Sequence, residues 1–222
     1  MWQPMLLSLR IAGLSAVIAL IIGVFVATVI TRWRNPLTTF FDAAVNLPLV
    51  LPPTVLGYYL LVTFGARSPI GEWLDQIGLP LVFTWRGAVV AASFVAIPLV
   101  VQSTKAAIET VDPNLSDVAR TLGRSEWAIF FTVTLPLARH GVLAGAMLAF
   151  ARALGEFGAT LLVAGNIPGS TQTLPLAIYD SVQSGDYQRA NLLALALTVT
   201  AILLLILIRR LGYTLIGSTH HE

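Results

Sequence analysis

The sequence predicts an all-α polytopic membrane protein: a bundle of about five transmembrane helices with a short extra helix on its inner side. Hydrophobic residues make up 56% of the 222 positions, and charged residues make up only 11%. A soluble domain needs about 25% charged residues, so most of this surface must face lipid. The apolar residues also gather into runs of about 20, the helical length that crosses the hydrocarbon core of a bilayer.

Five such runs are predicted as spans. They cover residues 11–30, 43–66, 87–104, 141–164 and 190–208. The fourth run is interrupted by Arg152 and Glu156. The first run is followed by Arg32 and Arg34 and is not closed by a small-residue cleavage site, so we interpret it as a retained helix rather than a signal peptide.

Orientation is predicted from the basic residues of the connecting segments, because Lys and Arg concentrate on the cytoplasmic side. An outer N-terminus and an inner C-terminus put residues 31–42, 105–140 and 209–222 in the cytoplasm. These segments then hold Arg32, Arg34, Lys105, Arg120, Arg124, Arg139, Arg209 and Arg210. The outer segments hold Arg10, Arg67, Arg86 and Arg189. The excess of basic residues inside supports this orientation.

The chain lacks the residues that several classes of function require. The chain has no cysteine, and its histidines are His140, standing alone, and His220 and His221 near the C-terminus, so we expect no metal site. No span carries a nucleophile beside a base or a pair of carboxylates, so we expect no catalytic residue. No basic stripe indicates nucleic acid. We find no internal repeat and predict one domain over residues 8–210, followed by a short cytoplasmic tail, residues 211–222.

The inner segment, residues 105–140, contains a helix with clear end signals. Asp112 is a good N-cap, and Pro113 fits the first helical position. Gly123 supplies a C-terminal stop. Leu115, Ala119 and Leu122 recur at helical spacing, which is how a short helix inserts an apolar face into a groove of another protein. An ordinary amphipathic loop helix is the alternative interpretation.

The sequence of this helix and its continuation resembles the signature loop of ABC importer membrane subunits. That loop has an acidic residue, two small residues, three others, Gly, nine others and Ile-x-Leu-Pro. In this chain Asp117 stands for the usual Glu, Val118 for the first Ala and Val133 for Ile, with the spacing intact. The resemblance implies contact with an ATPase subunit through Asp117, Val118, Ala119, Leu122, Gly123, Leu135 and Pro136.

The chain itself has no site for ATP. Its sole lysine, Lys105, does not belong to a Gly-x-x-x-x-Gly-Lys-Ser/Thr loop, so no P-loop can hold the phosphates. We therefore expect this chain to bind no cofactor, and we expect ATP-Mg to be bound by a separate partner ATPase.

Further stretches widen the resemblance to the molybdate and sulfate branch of type I ABC importer membrane subunits. They are residues 46–55, 85–89, 130–137, 150–160 and 166–169. The family implies a permease subunit for molybdate or tungstate in the bacterial inner membrane. It also implies four kinds of partner: cytoplasmic ATPase subunits, a periplasmic oxyanion-binding protein, a second copy of the chain and membrane lipid.

Two alternatives to a molybdate permease remain open in the sequence. The stretch around residues 152–158 is shared with sulfate and thiosulfate permeases, so a sulfate importer is the nearer alternative. A secondary anion transporter is the more distant one, because such folds usually contain two repeats. This chain is short, has an odd number of predicted spans and shows no repeat.

Arg152 and Glu156 also admit two interpretations. At positions i and i+4 they share a helix face and can pair, which offsets part of the cost of placing charges in a span. They are either a structural pair or a place where Arg152 lines the anion path. Gly155 and Gly158, with the small-residue stretch 141–145, indicate close helix packing or a weak dimerisation face. Pro48, Pro52 and Pro53 are expected to kink or end a helix in the second span.

Overall fold

The computed structural model describes residues 2–32 and 36–216, and within these ranges the chain is helical and free of β-strands. The predicted Arg34, the histidines His220 and His221 and residues 217–222 of the predicted tail lie outside the described residues. In chain order the helices are α1 (Trp2–Arg32), α2 (Pro36–Val50), α3 (Pro53–Phe64), α4 (Pro69–Gln76), α5 (Trp85–Glu109), α6 (Pro113–Thr121), α7 (Glu126–Ile129), α8 (Leu135–Leu154), α9 (Gly158–Ala164), α10 (Leu174–Gln183) and α11 (Tyr187–Ile216). A π-helical segment, Phe130–Thr134, joins α7 to α8.

Four helices of the described chain are long and apolar enough to cross a membrane. They are α1, α5, the continuous helix from α7 through α8, and α11. The pair α2 and α3 supplies a fifth span if the two are counted together. The all-α membrane bundle of about five spans is confirmed.

The second predicted span is broken at its prolines, as expected. Within residues 43–66 the chain bends by 112° between α2 and α3. Pro52 adopts an extended backbone, with ψ of 136°. Pro53 follows it, and a proline disfavours helical geometry in the residue before it. Pro52 is itself a proline, so it has no N–H to donate to a helical carbonyl. The bend therefore follows from two adjacent prolines.

The fourth predicted span, residues 141–164, was placed too late. The continuous helix begins at Glu126, ends at Leu154, and is followed by a break before α9. At the break, the backbone N–H of Ala159 donates to the Glu156 carboxylate instead of to a helical carbonyl, at 2.9 Å. Helix α11 continues to Ile216.

Helix α5 lies at the centre of the bundle, packed against α1, α8 and α9. Its buried residues are mostly small, including Ala88, Ala92 and Ala96. Small side chains let helices approach closely, which is how membrane helices gain van der Waals contact in the absence of a hydrophobic driving force. Serines join the helices as well: Ser15 Oγ donates to the Val89 carbonyl at 3.0 Å, and Ser103 Oγ donates to the Gly141 carbonyl at 2.7 Å.

The small-residue face of α8 is used inside the chain rather than left for a second copy. A Cβ atom placed on Gly145 would lie 3.0 Å from Val100 Cα, and one placed on Gly141 would overlap Ala107. Gly158 likewise faces Pro53 of α3. Of the glycines proposed for close packing, Gly155 alone is not tight: a Cβ there would meet only the Ala151 carbonyl oxygen, at 3.9 Å. The predicted dimerisation signal at residues 141–145 is therefore explained by packing against α5.

Candidate functional site

Helix α6 forms where its end signals predict it. Asp112 Oδ1 accepts a hydrogen bond from the Asn114 N–H at 2.9 Å, which satisfies one of the free donors of the first turn. Gly123 has φ of +77°, a left-handed conformation that glycine adopts without strain. The Arg124 N–H then returns to the Ala119 carbonyl at 3.1 Å and closes the end of the helix.

One face of α6 is apolar and uncovered. Leu115, Val118 and Leu122 are exposed by 47%, 57% and 77%, and α6 has no buried residue. Ala119 lies half-buried on the same face. Side chains three and four apart point to one side of a helix, so these residues form a single stripe. A stripe of this kind, exposed on a short polar helix, suits insertion into a groove.

The opposite face of α6 is polar and faces the bundle. Asp117 Oδ1 and Arg120 Nη1 form an ion pair at 2.6 Å. The Arg120 Nε donates to Glu126 Oε1 at 2.6 Å, and the Glu126 carboxylate raises the pKa of Arg120 above its ordinary value through this hydrogen bond and its charge. The resemblance implies contact between Asp117 and an ATPase subunit; in the structure the Asp117 carboxylate already has a partner in the same chain.

Leu135 and Pro136 do not lie on α6. They lie where the π-helical segment gives way to α8, and the Leu135 N–H bonds to the Phe130 carbonyl five residues earlier. Pro136 has no N–H to continue an α-helical ladder, and the wide turn stands directly before it. The signature therefore has two parts in space: the exposed stripe of α6 and the start of α8.

Arg152 and Glu156 form the predicted ion pair. Arg152 Nη1 lies 2.7 Å from Glu156 Oε2, and the side chain of Arg152 is 33% exposed while that of Glu156 is only 2% exposed. Glu156 Oε1 accepts the Ala159 N–H, so its carboxylate fixes both the end of α8 and the start of α9. The two residues thus differ: Glu156 is a buried structural acceptor, and a third of the Arg152 side chain is exposed.

A second ion pair was not predicted from the sequence. Lys105 Nζ of α5 lies 2.6 Å from Asp42 Oδ2 of α2, and Gln102 Nε2 donates to the other carboxylate oxygen at 3.3 Å. The sole lysine of a membrane chain was a visible signal, but its partner lies 63 positions away. Glu126, which contacts α6 and α1, was also missed. Among the described residues no group of three His, Cys, Asp or Glu side chains could hold a metal ion.

A family model described as "Binding-protein-dependent transport system inner membrane component" matches residues 19–217 of the chain. Among curated proteins, the chain is 46% identical over 208 residues to the molybdenum transport system permease protein ModB of Escherichia coli K12, with 92% of this chain and 91% of that protein covered. It is 36% identical to the sulfate transport system permease protein CysT of the same strain, with 91% of this chain and 74% of that protein covered.

The fold also resembles a solved transporter. The structure is of the bacterial alginate ABC transporter in complex with an alginate pentasaccharide-bound periplasmic protein. The match has a TM-score of 0.75 at 18% identity and covers 96% of this chain and 78% of that one. At this identity the similarity concerns the fold.

Proposed function

Because the chain belongs to the family of binding-protein-dependent transport system inner membrane components, we propose that it is the permease subunit of an ATP-driven molybdate importer. The observation that carries this proposal is the 46% identity to a molybdenum permease over nearly the full length of both chains. Tungstate is an equally suitable substrate, since it is a tetrahedral dianion of nearly the same size. The permease itself does not hydrolyse ATP.

The ATPase subunit docks on α6. The exposed stripe of Leu115, Val118 and Leu122 enters a groove on the ATPase, and Ala119 keeps the approach close. The supporting observation is that this face is apolar and uncovered in a helix with no buried residue. Asp117 contributes by holding Arg120 rather than by meeting the ATPase directly. ATP-Mg is bound by the ATPase alone.

The remaining partners follow from the same family. Two copies of the chain enclose the path, and a periplasmic oxyanion-binding protein delivers the substrate to the outer side. A similar fold has been solved with a substrate-bound periplasmic protein. The subunit lies in the bacterial inner membrane with its N-terminus outside and its C-terminus in the cytoplasm, which puts α6 on the side of the ATPase.

Arg152 is the side chain proposed to meet the anion. Its guanidinium offers several N–H donors and a fixed positive charge, the chemistry that suits a tetrahedral oxyanion. Glu156 holds it in place and is itself buried, so the pair serves structure and path at once. Substrate selection belongs mainly to the binding protein, and the permease needs only a weak site that the anion can leave.

Sulfate is the second candidate substrate, and the observation that favours it is the 36% identity to a sulfate permease. Molybdate and sulfate are both tetrahedral dianions, so Arg152 does not distinguish them. The higher identity and the fuller coverage of the molybdenum permease favour molybdate.

The test is complementation of a bacterium that lacks its own molybdate permease. Expression of this chain with its partner subunits should restore uptake of radioactive molybdate at nanomolar concentration, and a large excess of unlabelled sulfate should leave that uptake nearly unchanged. Suppression of molybdate uptake by sulfate, with sulfate itself imported, would assign the chain to sulfate instead.

A further inference from the structure

The orientation of α6 relative to the spans needs an explanation. A helix with no buried residue gains little from apolar packing. The contacts made by the polar face of α6 therefore determine how a force on its exposed stripe is transmitted to the spans. The contacts that do this converge on one residue, Glu126.

Glu126 receives two arginines from two different helices. Arg120 of α6 makes a bidentate contact with the Glu126 carboxylate: Nε donates to Oε1 at 2.6 Å, and Nη2 donates to Oε2 at 3.3 Å. From the end of α1, Arg32 Nη2 donates to the Glu126 carbonyl at 2.9 Å and lies 3.8 Å from its Oε2. Bidentate contacts between an arginine and a carboxylate fix the relative orientation of the two groups as well as their distance. Glu126 thus ties α6 to α1.

Glu126 is also the first residue of the long helix that reaches Arg152. A negative charge at a helix N-terminus is favourable, so the residue suits this position as well. The helix from Glu126 to Leu154 has 29 residues. At about 1.5 Å per residue it spans roughly 43 Å, from the inner side to the break at which Arg152 and Glu156 pair.

We propose that Glu126 is the positioning residue through which movement of α6 reaches α1 and the Glu126–Leu154 helix. The inference rests on the proposed function, since it assumes that an ATPase moves α6. Exposed ion pairs contribute little to stability, so the role of this one is geometric: it keeps α6, α1 and the long helix moving together. Without it, the ATPase can close while the spans stay where they are.

The experiment uses the full importer, with its ATPase and binding protein, reconstituted in proteoliposomes. Glu126→Ala and Arg120→Ala are compared with Glu109→Ala, another exposed cytoplasmic glutamate, which forms no ion pair within the described chain. The readout is the number of ATP molecules hydrolysed per molybdate imported. We expect this ratio to rise about fivefold or more in the two network variants and to stay unchanged in Glu109→Ala. The ATPase should remain bound in all three.

Each other result has a distinct meaning. If uptake and hydrolysis fall together with the ratio unchanged, Glu126 serves stability only and the proposal is overturned. If the ATPase no longer co-purifies, the network is part of the docking surface and the proposal is likewise overturned. Absence of molybdate uptake by the unmodified importer would instead refute the proposed function, and this result is separate from the comparison among variants.

Discussion

At the scale of single residues, the ion pair of Arg152 and Glu156 serves both the structure and the proposed anion path. Glu156 is buried, forms an ion pair with Arg152 and accepts the Ala159 N–H, whereas Arg152 keeps a third of its side chain exposed. When Arg152 is removed, the Glu156 carboxylate keeps the Ala159 N–H as a partner, whereas removal of Glu156 leaves that N–H without its acceptor at the break between α8 and α9. The two residues should therefore respond differently to substitution.

Arg152→Ala should lower molybdate uptake about tenfold or more while leaving the complex assembled, because an anion path loses its cation. Glu156→Ala should instead reduce the amount of folded permease, since it removes the acceptor of Ala159 N–H at a cost of about 1–3 kcal/mol. Uptake and the yield of complex on the same membranes distinguish the two effects. Loss of the complex in Arg152→Ala would show that the pair is structural throughout.

Two glycines of α1 give a matched test of the packing. A Cβ on Gly23 would lie 2.6 Å from Val100 Cβ, whereas one on Gly13 would meet nothing within 4 Å. Gly23→Ala should lower the free energy of unfolding by about 1–3 kcal/mol through overpacking. Gly13→Ala should be neutral or raise it by up to about 1 kcal/mol, because alanine is the better helix former. Thermal unfolding in detergent compares them, and equal melting temperatures would contradict the packing of α1 on α5.

At the scale of elements, α6 owes its ends to local chemistry and its place to distant contacts. Asp112, Pro113 and Gly123 act within a few residues, so the sequence alone predicted the helix and its left-handed stop. The break at Pro52 was also foreseeable as a kink. The 112° angle was not, because it depends on how α2 and α3 pack against the other helices.

Long-range partners account for what the sequence did not reveal. Arg32 and Glu126 are 94 positions apart, and nothing in either neighbourhood identifies the other. The small residues at 141–145 correctly indicated a close helix contact. They could not indicate that α5 of the same chain would fill it. The Leu-Pro of the signature was recognised as a motif, but its wide helical turn was visible only in the structure.

The coupling role of α6 can be tested at its glycine stop. Gly123→Val places a β-branched residue at φ of +77° and should abolish uptake while insertion into the membrane continues. Gly123→Asn should retain uptake, because asparagine tolerates this conformation. Gly78→Val supplies the control: it creates the same strain, at φ of +71°, in a segment predicted to lie outside. Pull-down of the ATPase and uptake are measured together, and normal values in Gly123→Val would remove the coupling role.

The uncovered stripe of α6 gives a second test of the same element. Ala119→Glu adds a charge at the proposed contact with the ATPase, and an unpaired charge is costly to bury. The ATPase should no longer co-purify with this variant. Asn114→Asp also adds a negative charge to α6, at an exposed position, and this variant should retain the ATPase. Retention of the ATPase in both variants would show that the stripe is not the docking face.

At the scale of the whole molecule, the spans and their orientation determine which face meets which partner. The chain has no cysteine, so single cysteines can be introduced without background labelling. Asn114→Cys on α6 should be labelled only from the cytoplasm, and Ser170→Cys, in the exposed segment before α10, only from the outside. Labelling of both from one side would refute the topology and place α6 away from the ATPase.

The central claim is that this chain carries molybdate across the membrane when a separate ATPase drives it. The most direct measurement is uptake of radioactive molybdate by proteoliposomes that contain the permease, its ATPase and its binding protein. The account predicts uptake that requires ATP and all three proteins and is lost with Gly123→Val. Uptake by the permease alone along an ion gradient, without ATP, would contradict it.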